Sequence, residues 1–198
     1  MLWMKLTVLA SSSRDNTLND INKHKEHTEM SKHLVYVGIG SNIEQEKYIR
    51  LAVQFLEESF GEQCQLLLSP VYKTQAVGFD GDDFFNLVAS FLSNLSAIEV
   101  AQKLKEIEHK NGRRRSQEKF SARTLDIDLL LYDQEIIEDN GISVPRDEIE
   151  KYAFVLSPLA DLAPDLVHPK TKQTISMMWQ ELRKKNNAGS LEKINFQW

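Results

Sequence analysis

Asp126 and Asp128 are separated by one residue in the run Arg123-Thr124-Leu125-Asp126-Ile127-Asp128-Leu129-Leu130-Leu131-Tyr132. In a β-strand, alternate side chains point to opposite faces. The two carboxylates then share one face, and Leu125, Ile127 and Leu129 share the other. Two carboxylates held this way repel each other unless a cation lies between them. Hard oxygen ligands in this number suit Mg²⁺, which takes one or two protein carboxylates and completes its shell with substrate phosphates. An edge strand with its polar face in water shows the same alternation, so the strand alone leaves both readings open.

The segment before the strand tips the balance. Gly112 to Arg123 carries five cations in a dozen residues: Arg113, Arg114, Arg115, Lys119 and Arg123. A cationic loop running into a two-carboxylate strand suits a metal–polyphosphate site. The cation would neutralise some phosphate oxygens and forked guanidinium groups would take others.

Composition narrows the class. The chain has 198 residues, 41% hydrophobic and 27% charged, which suits one globular domain with a tail. Its net charge of −5 makes the arginine cluster a local feature of an acidic protein, so a nucleic-acid partner is not expected. The single cysteine, Cys64, forms no intrachain disulfide and suits a reducing, cytoplasmic setting. Flanking leucines mark it as a semi-buried structural thiol. No apolar run approaches the ~20 residues of a membrane helix, so no membrane partner is expected.

The elements that must position the acidic pair follow from periodicity and breakers. Leu34 to Gly40 reads as a buried first strand, closed by a turn at Ser41-Asn42. Glu44 to Phe60 reads as an amphipathic helix with Ile49, Val53, Leu56 and Phe60 inward, stopped by Gly61. Leu66 to Tyr72 is expected as a second strand ending near Pro70, Lys73 to Asp83 as a loop, and Phe84 to Leu92 as a third strand. Ser96 with Glu99 forms a capping box for a helix from Ala97 to about Asn111, burying Val100, Leu104 and Ile107. The acidic strand follows. The order β-α-β-β-α-β is an α+β, ferredoxin-like split-βαβ layout, with two helices on one face of an antiparallel sheet. C-terminal extensions add a hairpin around Glu135 to Val144, short helical pieces near Asp147 to Tyr152 and Pro158 to Ala163, and a final helix from about Thr174 to Lys185.

Residues 1–30 differ from the rest. A short apolar patch of Leu2, Trp3, Leu6, Val8 and Leu9 is broken by Lys5, and Ser11 to Glu29 is polar and mixed in charge. This segment is expected to be a disordered extension ahead of one domain spanning residues 31–198, with His24 and His27 solvated. Met30 is the expected biological start, which an intact mass of the native protein tests.

Taken together, Arg123-Thr124-Leu125-Asp126-Ile127-Asp128, the preceding arginine loop, Gly40-Ser41-Asn42, Glu108, Phe154 and Pro158-Leu159 resemble the signature of the 6-hydroxymethyl-7,8-dihydropterin pyrophosphokinases of folate biosynthesis. The resemblance runs from about Leu34 to the C-terminus. It implies an enzyme that moves a pyrophosphoryl group from ATP to a reduced pterin, using two Mg²⁺; a monomer is expected. Asp126 and Asp128 would be the metal ligands. Arg115 and Arg123 would neutralise charge during transfer, beneath a lid that excludes water. ATP would meet Glu108, Arg113, Arg115, Arg123, Leu129, Ser143 and Arg146. The pterin would meet Thr74, Val77, Phe84, Asn86, Phe120 and Phe154. Two aromatic faces, Phe84 and Phe154, would sandwich a flat heterocycle, and the Asn86 amide would read its edge.

The chain departs from that family at particular places. Val144-Pro145 is followed by Arg146-Asp147 where a His-Tyr pair is usual, and Tyr152 stands where an arginine is usual. Phe120 and Ala122 replace a tryptophan and a proline of the lid, Phe84 a tyrosine, and Gln75 a proline. Two alternatives stay open beside the pyrophosphokinase: a divergent paralogue acting on a related pterin, and a non-catalytic pterin- or partner-binding protein. Keeping Arg115, Arg123, Asp126 and Asp128 together argues against the last.

Overall fold

A computed structural model describes residues 32–76, 81–112, 122–139, 141–185 and 190–198. The arginine-rich segment 113–121, expected as a loop, the expected N-terminal extension and Met30 lie outside the described residues.

Strand β1 (His33–Ser41) and helix α1 (Gln45–Phe60) come first. Ile49, Ala52 and Leu56 are buried, whereas Val53 is only half-buried, so the inward stripe runs through Ala52 rather than the expected Val53. Gly61, at φ 84°, ends the helix in a conformation that a β-carbon would strain. The expected strand over Leu66–Tyr72 is two short strands, β2 (Leu67–Leu68) and β3 (Tyr72–Thr74), both paired with β4 (Phe84–Ser93). Pro70 between them has no N–H to give to a ladder. Ser69 holds the break, donating its N–H to the Val88 carbonyl and accepting the Val88 N–H on Oγ, each at 2.9 Å.

Helix α2 (Ala97–Lys110) carries the expected capping box. The Ser96 N–H donates to Glu99 Oε2 at 2.8 Å, and Ser96 Oγ accepts from the Glu99 N–H. Such a cap contributes about 1 kcal/mol. Strand β5 (Asp126–Tyr132) follows, then the hairpin β6 (Ile137–Asp139) and β7 (Ile142–Val144). Helix α3 (Glu148–Lys151) precedes α4 (Ala153–Leu162). The latter starts five residues before the expected Pro158 and takes the proline into its interior. Helix α5 (Ile175–Lys184) is capped by Thr174. A last strand, β8 (Leu191–Lys193), pairs with β3. Three residues are too short a run to show a strand's periodicity.

The main sheet runs β5-β1-β4-β3-β8, with β2 also on β4, and every pairing is antiparallel. Without β8 this is the expected ferredoxin-like arrangement. One face packs under α1 and α2 through Val35, Val37, Ile39, Leu87, Phe91, Ile127 and Leu129. The other packs under α4 and α5 through Val88, Leu130, Leu156, Leu159 and Ile175. Burying each such side chain contributes about 1.5–3 kcal/mol, which makes the sheet a rigid platform. Cys64 is fully buried in the first core, more so than its sequence context suggested.

Candidate active site

The β1–β5 register sets Asp126 opposite Gly40 and Asp128 opposite Gly38, with Ile39 opposite Ile127 between them. Ile127 is buried in the helix-side core, so both aspartates point to the other face, as the alternation predicts. The β1–β4 register continues the first row, because Gly40 also faces Asn86, and Asn86 faces Tyr72 on β3. Gly40 keeps this row open. A β-carbon there would stand 3.2 Å from Asn86 Oδ1 and 3.9 Å from Phe84 Cδ1. An acidic pair and an amide thus lie on one sheet face with a side-chain-free gap between them.

The repulsion between the aspartates is relieved by guanidinium groups. Arg123 Nη1 donates to Asp126 Oδ2. Arg146 Nη2 donates to Asp128 Oδ1 at 2.9 Å, and Arg146 Nε lies 3.1 Å from Glu148 Oε2. The Arg146 N–H donates to the Leu130 carbonyl at 2.9 Å, which fixes its backbone against β5. The Arg123–Asp126 pair is the more enclosed, at 26% and 18% side-chain exposure against 35% and 41% for Arg146–Asp128. Hard carboxylate oxygens on a partly open face fit Mg²⁺. Among the described residues no group of three or more His, Cys, Asp or Glu forms a metal cage. Two carboxylates alone match an ion whose remaining ligands are water and phosphate oxygen.

A buried polar clamp holds the chain entering β5. Ser41 Oγ donates to the Thr124 carbonyl at 2.6 Å. The Asn42 N–H donates to the Arg123 carbonyl at 3.1 Å, and Asn42 Oδ1 accepts the Arg123 N–H at 2.6 Å. Thr124 Oγ1 donates to the Asn111 carbonyl at 2.7 Å, tying the end of α2 to the same turn. The Ile127 N–H donates to Glu108 Oε1 at 2.9 Å. Ser41, Asn42, Glu108 and Asn111 are all at least nine-tenths buried. Interior bonds of this kind fix geometry because leaving any one unmade costs about 1–3 kcal/mol.

Thr74 and Asn86 meet directly, Asn86 Nδ2 donating to Thr74 Oγ1 at 2.9 Å. Phe84 borders the Gly40 gap and is half-buried. Phe154, at the start of α4, stacks on Tyr152 with ring centroids 5.0 Å apart and planes 17° apart. Ser143 sits half-buried on β7 opposite Glu138. The Leu129 side chain is buried on the opposite sheet face, in the helix-side core, away from the aspartates. Val77, Arg113, Arg115 and Phe120 lie outside the described residues. Sequence reasoning read Ser41-Asn42 as a turn within the signature, without the clamp, and gave Asn111, Thr124 and Glu148 no part in the site. Uncharged polar residues at the end of an apolar strand were the available signal for the clamp. Nothing local marked Glu148.

A family model described as 7,8-dihydro-6-hydroxymethylpterin-pyrophosphokinase matches residues 36–164. A 2-amino-4-hydroxy-6-hydroxymethyldihydropteridine pyrophosphokinase of Aquifex aeolicus is 35% identical over 137 residues, covering 68% of this chain and 83% of that protein. Its Pseudomonas aeruginosa counterpart is 37% identical over the same shares. A folic acid synthesis protein of Schizosaccharomyces pombe is 32% identical over 77% of this chain and 21% of its own. Among solved structures, wild-type Plasmodium falciparum HPPK-DHPS aligns over 83% of this chain and 48% of its own with a TM-score of 0.62. At 12% identity, that likeness speaks for the fold alone.

Proposed function

The chain belongs to the 7,8-dihydro-6-hydroxymethylpterin-pyrophosphokinase family, and on that premise we propose how its residues divide the work. The reaction is transfer of pyrophosphate from ATP to 6-hydroxymethyl-7,8-dihydropterin in folate biosynthesis, with ATP as co-substrate. The observation that carries the residue assignment is the pair Asp126 and Asp128 on one sheet face, each matched by a guanidinium.

Asp126 and Asp128 would hold two Mg²⁺, which would supply charge neutralisation on the ATP phosphates. The pterin hydroxymethyl oxygen attacks the β-phosphorus in line and AMP leaves. Arg123 and Arg115 would neutralise the charge that develops on the transferring group. Glu108 steadies the β5 backbone between the two carboxylates through the Ile127 N–H. Arg113, Ser143, Arg146 and the Leu129 backbone complete the nucleotide side. Thr74, Val77, Phe84, Asn86, Phe120 and Phe154 form the pterin side. The Asn86–Thr74 bond fixes the amide, so that its remaining donor and acceptor are offered to the heterocycle. Most of the rate enhancement comes from positioning and electrostatics rather than from a strong base.

We read residues 31–198 as one catalytic domain that acts as a monomer in the cytoplasm. Among the described residues no helix is long and apolar enough to cross a membrane. The test is AMP release from Mg-ATP with and without 6-hydroxymethyl-7,8-dihydropterin. AMP release that requires the pterin is expected. Pterin-independent release overturns this reading, and no release moves it to a related pterin or to a non-catalytic binder.

A further inference from the structure

We infer that Arg146 is an exchangeable counter-cation for Asp128, a positioning residue that couples binding of the divalent cation to binding of the nucleotide. The inference rests on the metal assignment of Asp126 and Asp128 given above.

Arg146 reaches two carboxylates at once. Its Nη2 donates to Asp128 Oδ1 at 2.9 Å, and its Nε stands 3.1 Å from Glu148 Oε2. Its backbone cannot drift, because its N–H is bonded to the Leu130 carbonyl within β5. The guanidinium is therefore tethered beside the site while its charge can be shared among acceptors.

Arg146 occupies Asp128 Oδ1, an oxygen that a divalent cation would take. A cation entering there must displace the guanidinium or bear its repulsion. With nucleotide, phosphate oxygens offer the guanidinium a forked set of acceptors, and Oδ1 of Asp128 passes from the arginine to the cation. Glu148 keeps Arg146 at the site during the exchange, so the arginine is not lost to solvent. The Arg123–Asp126 pair is the less suited of the two to this role. It is more enclosed from water. Each ligand then strengthens the other by the same factor, as linkage requires.

The test reads Mn²⁺ binding by electron paramagnetic resonance on the full chain, with and without α,β-methylene ATP. Without nucleotide, R146Q is expected to bind Mn²⁺ about two- to fivefold more tightly than the wild type, the factor a half-exposed ion pair is worth. With the analogue the order is expected to reverse, because R146Q has no charge to give the phosphates. R146K is expected to move both values back toward the wild type. Tighter binding by R146Q in both states would make Arg146 a plain competitor, and weaker binding in both would make it a structural support. Either result overturns the exchange, as does equal affinity without nucleotide. A separate control addresses the metal assignment. If D128N binds Mn²⁺ with the analogue as the wild type does, that assignment fails and the exchange fails with it.

Discussion

Glu108, buried at the end of α2, accepts the N–H of Ile127 at 2.9 Å, midway between the two aspartates of β5. The bond places an acidic side chain under the active strand without exposing it. Its effect is mechanical: it fixes the pleat from which Asp126 and Asp128 project.

Removing that acceptor leaves an interior N–H unpaired. Glu108→Ala is expected to cost about 1–3 kcal/mol of stability. Glu108→Gln keeps a side-chain carbonyl in place and is expected to lose about half of that or less. Urea unfolding midpoints of the three proteins, with unchanged slopes, check it. Equal midpoints for Ala and Gln would assign the role to the charge instead.

Asp128 separates function from stability. Its side chain is 41% exposed and its ion pair with Arg146 is half in water, so the pair contributes at most about 1 kcal/mol. Asp128→Asn is expected to abolish pterin-dependent AMP release while the unfolding midpoint moves only slightly. A mutant turning over at the wild-type rate rules out the metal role.

Gly40 tests the pterin side from the opposite direction, by adding an atom. Its β-carbon would stand 3.2 Å from Asn86 Oδ1, a contact that the amide must yield to. Moving the amide disturbs its 2.9 Å bond to Thr74. Gly40→Ala is expected to raise the pterin KM several-fold and leave the ATP KM nearly unchanged. An equal rise in both would mean that the sheet, not the amide, had moved.

These residues also show how far the sequence could be read. The acidic strand was legible because period-two alternation is local, and Ile127 in the core confirms its phase. The capping box at Ser96 was legible for the same reason. The clamp was not, because its partners are far apart in the chain: Asn42 with Arg123, and Thr124 with Asn111. Strand β8 was not legible, because three residues gain strand character only from pairing with β3. The start of α4 was misplaced because Pro158 reads as a first-turn residue, whereas packing on the sheet tolerates it inside the helix. Arg146 was visible as an odd residue after Val144-Pro145, but its two carboxylate partners needed the fold.

Acid sensitivity has one interior source in His168. The side chain is fully buried, and its Nδ1 accepts the Thr171 N–H at 3.3 Å, so the neutral ring carries its proton on Nε2. Burial pushes its pKa below the ordinary histidine value, with Glu150 opposing and Lys170 reinforcing. The unfolded chain therefore takes up the proton first as pH falls. The stability linked to this group is complete above about pH 6.5 and is lost as pH drops through the lower folded value. His168→Gln is expected to lower stability at pH 7.5 and to flatten the decline below pH 6.5. Parallel stability–pH curves for the two proteins would show that the acid limb belongs to other groups.

Tyr132 contributes to the alkaline limb. Its hydroxyl donates to the Leu95 carbonyl at 3.0 Å, and its ring stacks on His33 at 4.8 Å. Burial, with Asp133, Glu135 and Glu99 nearby, pushes its pKa up to about 12. The folded chain keeps a proton that the unfolded chain gives up near pH 10. Its contribution is therefore present below pH 10 and disappears as pH rises toward 12. Tyr72 adds to the same limb. Its pKa is raised first by burial and then by its 2.5 Å bond to Asp161, an aspartate that Lys193 of β8 also holds at 2.8 Å. Urea midpoints between pH 9 and 12 are expected to fall steeply for the wild type and less steeply for Tyr132→Phe, which has no phenol to ionise. If Tyr132→Phe falls as steeply, ionisation of Tyr72 and release of the C-terminal strand would carry the alkaline limb, and Tyr72→Phe would then be the variant that flattens it.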